Sequence, residues 1–510
     1  MATERLIDLL ARGREDAMAL CMPASETRAA LALTHGRLRK LVAGTVEALN
    51  AAGVGRGDRV AIVLPNGPEM ATAFLGVAAG ATAAPLNPAY TEAEFRFYLE
   101  DLRARAVIVA PGEASARQAA RELGVAVLEL AVPAGAATGE FALAGGAGRR
   151  RDAGGFAGPD ETALVLHTSG TTARPKIVPL SQANLCASAA NIARALALGA
   201  DDACLNVMPL FHIHGLIGAL LSSLSAGASV AATPGFNALK FAAWMTELRP
   251  TWYTAVPTMH QAILARAARA PDAAAGYRLR FIRSSSAALP PQVMAGLERL
   301  FGCPVIESYG MTEAAHQMTS NPLPPRPRKP GSVGVAAGPE VGIMDADGRI
   351  LPVGASGEVV IRGANVTAGY EDNPAANAGA FAHGWFHTGD LGAIDAEGYL
   401  TISGRLKEII NRGGEKISPR EVDEALLDHP AVAEALTFAV PHDKLGEEVA
   451  AALVLKPGAG ASEQDIRDFL GKRLAGFKVP RRVLFLPELP KGPTGKPQRI
   501  GLAKRLGLAS

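Results

Sequence analysis

Glu161–Leu185 reads ETALVLHTSGTTARPKIVPLSQANL, and the fold of the whole chain turns on how this stretch is parsed. ETALVLH is a short apolar run of the length expected for a buried strand. HTSGTTARPK (His167–Lys176) then gathers four hydroxyls, a glycine and a terminal lysine in one loop. Ser181 stands at an N-cap position ahead of a helix that runs to about Leu198. Strand, polar loop and helix in this order make one round of an alternating α/β design.

The alternation extends in both directions. Upstream, DRVAIVLP, PEMATAFLGVAAG, a helix opened by Thr91 with Glu94 three residues later, and RAVIVAP predict parallel strands joined by helices. The Ala/Gly-rich segment from Ala131 to Gly158 reads as a surface excursion. Downstream, FAAWMTELRP, TWYTAVP and LRFIRSS supply a further round. After about Gly331 short strands and glycine turns signal a β-rich subdomain. From Gly404 a compact α+β unit follows, with Ser418, Pro419 and Glu421 reading as a capping box and Ser462 as a second cap. The expected architecture is α/β: a large N-terminal body, 1–403, of two α/β subdomains plus a β-rich part, then a small mobile α+β domain, 404–510.

The composition agrees and excludes several functions. A chain of 510 residues is roughly three domain-sized units. With Lys+Arg 51 against Asp+Glu 49, no global field favours nucleic acid or an anionic membrane, so small molecules are the expected partners. Hydrophobic residues at 48% imply a folded chain, and 55 glycines with 35 prolines imply many tight loops. The four cysteines are far apart with no C-x-x-C pair, which suits a reducing cytoplasm. The uncharged stretch Ala203–Leu239 is broken by Pro209, His212, His214 and Pro234, so no membrane span is expected. No targeting signal is read at either end, and a monomer or homodimer is expected.

HTSGTTARPK is not a Walker loop, because G-x-x-x-x-G-K-[ST] is absent, yet its donors suit a polyphosphate. The chain here resembles the acyl-adenylate-forming superfamily of acyl-CoA synthetases, adenylation domains and luciferases, whose signature is T-S-G-T-T-x-x-P-K. The resemblance implies ATP binding by Thr168, Ser169, Gly170, Thr171, Thr172 and Lys176. It also implies that Ser286, Ala287 and Ala288 in SSSAAL border adenine. In ESYGMTE it implies that Glu307 and Ser308 belong to the nucleotide site, Tyr309 stacks on adenine, Thr312 contacts phosphate and Glu313 holds Mg²⁺. Asp390 of HTGD accepts from the ribose and Arg405 of SGR assists it. Lys496, between Gly495 and Pro497, matches the family's catalytic lysine, Lys407 its hinge, and Gly413 and Gly414 the channel for coenzyme A. The implied mechanism alternates domains, one arrangement for adenylation and another for thioester formation.

The acid pocket is read from PLFHIHGL, FIRSSS and AAHQMTSNPLP, which contribute His212, His214, Arg283, Ser284, Ser285 and His316. So many hydrogen-bonding groups suit a short acid with a second carboxylate better than a fatty or aryl acid. Together with KPGSVG, GWFHTGD, INRGGEKISPREVD and AGFKVPRRV, these motifs resemble oxalate–CoA ligases from about Asp58 onward. The implied reaction converts oxalate, ATP and CoA through oxalyl-AMP; malonate or another short dicarboxylate is the alternative substrate. Ser285 and Gly310 depart from many plant and fungal oxalate enzymes and are expected to change the pocket volume slightly.

Overall fold

The computed structural model describes residues 4–24, 31–146, 153–168, 175–267, 276–490 and 498–509. The chain divides into two compact units, one of Met1–Thr168, Lys176–Val341 and Ile361–Phe381, the other of Ser169–Pro175, Gly342–Val360 and Ala382–Ser510.

The first unit is built on two sheets. One has seven strands in the order Ala142–Gly145, Ala126–Ala131, Ala106–Val109, Arg59–Val63, Thr82–Pro85, Thr162–Thr168, Lys176–Ser181. Its centre is parallel, as the βα alternation predicts, and both outer pairs are antiparallel. The other has nine strands, with Val305–Met311, Phe281–Ser284, Trp252–Ala255 and Ala203–Asn206 running parallel side by side at its middle. Helices Phe241–Leu248, Pro257–Ala267 and Pro291–Phe301 bury their apolar faces on these strands, with Tyr253, Ile282, Leu297 and Val305 sealed in the shared core. Parallel strands buried in this way place their C-terminal ends where a ligand can be met by loops.

Local rules account for several boundaries. Thr91 Oγ1 accepts from Glu94 N while Glu94 Oε2 accepts from Thr91 N, and Ser462 and Asp465 repeat the arrangement. Ser181 caps helix Gln182–Ala195, with Asn184 as its reciprocal partner.

Other expectations are corrected. The phosphate loop does not lead directly into a helix: residues 169–174 join two antiparallel strands, and Lys176 pairs with Thr168 across their base. Lys176–Ser181 sits at the sheet edge, which tolerates Pro179. The excursion after Ala131 carries a further edge strand, Ala142–Gly145. Glu421 does not complete a capping box; Ser418 Oγ accepts from Glu421 N, but the Glu421 carboxylate is taken by Lys478 Nζ at 2.6 and 2.8 Å. Met18–Cys21 and Leu33–Thr34, to which the sequence reading assigned no element, extend the nine-stranded sheet.

The second unit carries most of a sheet of Glu340–Met344, Ser356–Arg362, Phe386–Ile394 and Leu400–Arg405, and a five-stranded sheet centred on Val432–His442 and Gly446–Leu455. Helices Pro419–Leu427 and Glu463–Gly471 cover the latter through Val422, Leu426, Ile466 and Leu470. All four cysteines are free. Among the described residues no helix is long and apolar enough to cross a membrane.

Candidate active site

Three neighbouring parallel strands in the first unit set up a polar cluster. Their register puts Thr254 beside Arg283 and Arg283 beside Ile306, then Ala255 beside Ser284 and Ser284 beside Glu307. Arg283 is wholly buried. Its Nη1 donates to His316 Nε2 at 3.0 Å and its Nη2 to Gln317 Oε1 at 3.1 Å, while its Nε has no partner among the described residues. Since arginine only donates, the His316 ring accepts at Nε2 and is neutral. Burial pulls the guanidinium pKa down to about 9, so the group remains a cation at neutral pH, with no acidic counterpart beside it among the described residues.

The wall opposite is helical. PLFHIHGL forms no strand; His214–Leu221 is a segment of wide π-type turns, a rare conformation that concentrates at functional sites. His214 is fixed by hydroxyls, with Nδ1 3.0 Å from Ser286 Oγ and Nε2 2.6 Å from Thr254 Oγ1. Its ring stacks on His316 at 4.8 Å between centroids. Gly218 permits the approach, because a Cβ there would lie 2.6 Å from the His316 ring and 3.1 Å from Arg283 Nη1. His212 is half-buried beside Phe211.

Backbone strain collects at the same place. Ser286, Ala315 and His316 all have positive φ, 74°, 46° and 103°, which side-chain-bearing residues adopt at a cost of order 1–3 kcal/mol each. The left-handed turn at His316 breaks strand alternation, so His316 and Gln317, which a regular strand would send to opposite faces, both reach Arg283. Gly310 is part of this device and is not a determinant of pocket volume: a Cβ there would lie 1.6 Å from the His316 carbonyl oxygen. Ser285 Oγ is turned to the Ser308 carbonyl at 3.0 Å, tying two strands, whereas buried Ser284 Oγ has no partner among the described residues.

The turn Ser286–Ala288 is anchored from below by Glu307, whose Oε1 accepts from Leu289 N at 2.9 Å. Half-buried Tyr309 and Thr312 follow on the same strand and the turn after it. Glu313 is nearly buried, with Oε1 accepting from the Tyr370 hydroxyl at 2.9 Å, and Lys176 Nζ lies 4.1 Å from the centre of the Tyr370 ring. A cation, a phenol and a carboxylate thus converge near the base of the phosphate loop. Thr168 and Lys176 flank that loop, while Ser169, Gly170, Thr171 and Thr172 lie outside the described residues.

In the second unit, antiparallel register places Asp390 opposite Arg405, whose Nε donates to Asp390 Oδ1 at 2.9 Å. Glu358 shapes the turn before Asp390, accepting from Gly389 N at 2.9 Å and lying 2.8 Å from His387 Nδ1. Lys407 lies in the exposed turn Leu406–Glu408. Gly413 and Gly414, both at positive φ, form the two-residue turn of a hairpin, a conformation that asks for glycine irrespective of any ligand. Lys496 lies outside the described residues; Arg499, three residues on, is held by Glu408 at 3.1 Å and by Asp423. Thr254, Gly218, Gln317, Tyr370 and Glu358 were not singled out from sequence, since none sits in a motif that distinguishes it from a structural residue.

Two family models match the chain: AMP-binding enzyme over residues 10–371, and AMP-binding enzyme C-terminal domain over residues 421–496. The chain is 48% identical to the oxalate–CoA ligase of Arabidopsis thaliana, covering 92% of each protein. It is 43% identical to the oxalate–CoA ligase of Saccharomyces cerevisiae, over 89% of this chain and 88% of that one. The ATP-bound crystal structure of MatB from Rhodopseudomonas palustris superposes with a TM-score of 0.86 at 30% identity, covering 99% of both chains.

Proposed function

This chain belongs to the AMP-binding enzyme family, and we propose that it joins oxalate to coenzyme A in two steps. In the first, one oxalate carboxylate attacks the α-phosphorus of ATP, forming oxalyl-AMP and releasing pyrophosphate. In the second, the CoA thiol attacks the activated carbonyl, the thiol proton is lost, and AMP leaves. The observation that carries the substrate assignment is Arg283, a buried cation that among the described residues has only neutral partners and one unmatched N–H. A buried charge left in that condition is costly, and a substrate's second carboxylate relieves the cost. Relatives at 48% and 43% identity that are named oxalate–CoA ligases support the same substrate.

The remaining roles follow from position. Lys176 and the 168–172 loop bind the phosphates; Ser286–Ala288 and Tyr309 border adenine, with Glu307 and Ser308 supporting them; Asp390, aided by Arg405, accepts from the ribose. Lys496 stabilises the charge that develops during adenylation. Lys407 serves as hinge, and Gly413 and Gly414 admit the pantetheine arm of CoA. Glu313 fits a Mg²⁺ ion, and Thr312 a contact to phosphate. Among the described residues no group of three or more His, Cys, Asp or Glu could hold a metal ion, and Glu313 would supply the single carboxylate with which Mg²⁺ usually binds beside substrate phosphates. When bound, Mg²⁺ offsets negative charge on the phosphates. The free cysteines support a reducing, cytoplasmic setting.

The test is pyrophosphate release across oxalate, malonate, glyoxylate and acetate. Oxalate should give the highest kcat/KM; malonate equal to or above oxalate would transfer the assignment to the longer diacid.

A further inference from the structure

Arg283 has two side-chain acceptors, and the one that sequence reasoning passed over carries the further inference. Gln317 is fully buried. Its Oε1 accepts from Arg283 Nη2 at 3.1 Å, and its Nε2 donates to the Ala337 carbonyl at 3.2 Å. Asn365 Nδ2 donates to the Gln317 carbonyl at 3.1 Å and to the Ala314 carbonyl at 2.8 Å, fixing the backbone as well. The amide has one orientation only, because turning it over would set its NH₂ against the guanidinium and its oxygen against a carbonyl. Glutamate has nearly the same size and would place an oxygen at the same point, but with a negative charge.

We propose that Gln317 sets the charge specificity of the acid pocket: as a neutral acceptor it orients the Arg283 guanidinium without neutralising it, which reserves the positive charge for a second anionic group on the substrate. This rests on the reading of Arg283 as the mooring for that group. His316 acts in the same sense, since its ring accepts from Nη1 as a neutral group. Among the described residues the pocket therefore holds a cation in place with dipoles alone, and it selects a dianion over a monoanion of the same shape. At position 317 a carboxylate would supply internally what the substrate otherwise brings.

The experiment compares kcat/KM for oxalate with that for oxamate, the near-isosteric monoanion in which an amide replaces one carboxylate. The enzymes are wild type, Gln317→Glu, Gln317→Met and Arg283→Met. Gln317→Glu should reduce the preference for oxalate over oxamate by about 100-fold, the scale of a close charge pair in a desolvated site. Gln317→Met breaks both side-chain bonds but adds no charge, and should reduce the preference by less than about 10-fold. An unchanged preference in Gln317→Glu, or equal reductions in both Gln317 variants, would overturn the proposal. Should Gln317→Glu fail to fold because its second oxygen faces the Ala337 carbonyl, the neutral variants decide: a preference in Gln317→Met reduced as far as in Arg283→Met would overturn the proposal, and one reduced by less than about 10-fold would support it. Arg283→Met separates the two readings. If it keeps the wild-type preference for oxalate, the mooring itself is wrong; if it loses the preference while Gln317→Glu retains it, only the role of Gln317 is wrong.

Discussion

Replacing Arg283 by methionine should cost activity without costing stability, a combination an ordinary buried arginine does not give. Burial lowers the Arg283 pKa well below the ordinary arginine value, to about 9, a penalty of several kcal/mol against the cation in the folded state. The folded protein therefore binds fewer protons than the unfolded chain between about pH 9 and the ordinary arginine value. The penalty is complete below about pH 9 and is relieved as pH rises from there toward that ordinary value. Methionine removes that penalty while filling similar volume. Against it stand two orphaned acceptors, His316 Nε2 and Gln317 Oε1, at about 1–3 kcal/mol each. The sum is near zero, so denaturant unfolding at pH 7.5 should show a change within about 1 kcal/mol, whereas breaking a buried ion pair costs about 3–5 kcal/mol. The same variant loses its charge-assisted contacts to oxalate, and kcat/KM in the pyrophosphate assay should fall about 10²–10⁴-fold. The reasoning is refuted if stability falls by 3 kcal/mol or more on the scale of a broken buried pair, or if oxalate turnover stays within about 5-fold of wild type.

Three other outcomes are expected. Lys496→Ala should abolish oxalate-dependent pyrophosphate release by about 100-fold or more while CoA still consumes supplied oxalyl-adenylate; parallel loss of both half-reactions would contradict the assignment. Glu358→Ala removes the anchor of the Gly389 amide and of His387, so KM for ATP should rise about 10-fold and the preference for ATP over 2′,3′-dideoxy-ATP should shrink, as it should also when Asp390 itself is changed to alanine. A preference that persists in Glu358→Ala but not in Asp390→Ala would show that the turn holds without its glutamate. Burial pulls the His260 pKa to about 4, so the folded state resists protonation and stability should decline as pH falls from 6.5 toward 4. Urea midpoints at pH 7 and 4.5 should reveal about 2 kcal/mol of this decline in wild type and little of it in His260→Gln.

What could be read before the structure was whatever depends on near neighbours. The caps at Thr91, Ser181 and Ser462 involve residues three apart, and the strand and helix periods are local, so all of these appear where the sequence places them. The misreadings share an opposite cause. Lys176–Ser181 pairs with Thr162–Thr168 because the sheet presents an open edge there, something no property of KIVPLS announces. Glu421 has the spacing of a capping partner, but Lys478, 57 residues away, offers a full charge and takes the carboxylate. Asp390 and Arg405 meet because an antiparallel register puts them opposite each other, so their separate motifs could name them without showing the pair.

The acid pocket shows where the division lies. The expectation that the pocket binds a second carboxylate needed only a count of donors in three segments. The wiring needed backbone angles. An ordinary strand at His316 would turn either that ring or the Gln317 amide away from Arg283, and the guanidinium would then lack one of its two neutral acceptors. The positive φ at His316, the bare Cα positions at Gly218 and Gly310, and the π-type turns at His214–Leu221 together bring both acceptors within 3.1 Å of the guanidinium. Each of these features is unfavourable or indifferent for folding taken alone. Their coincidence around one buried cation is the reason to regard charge selection as the property this part of the fold maintains.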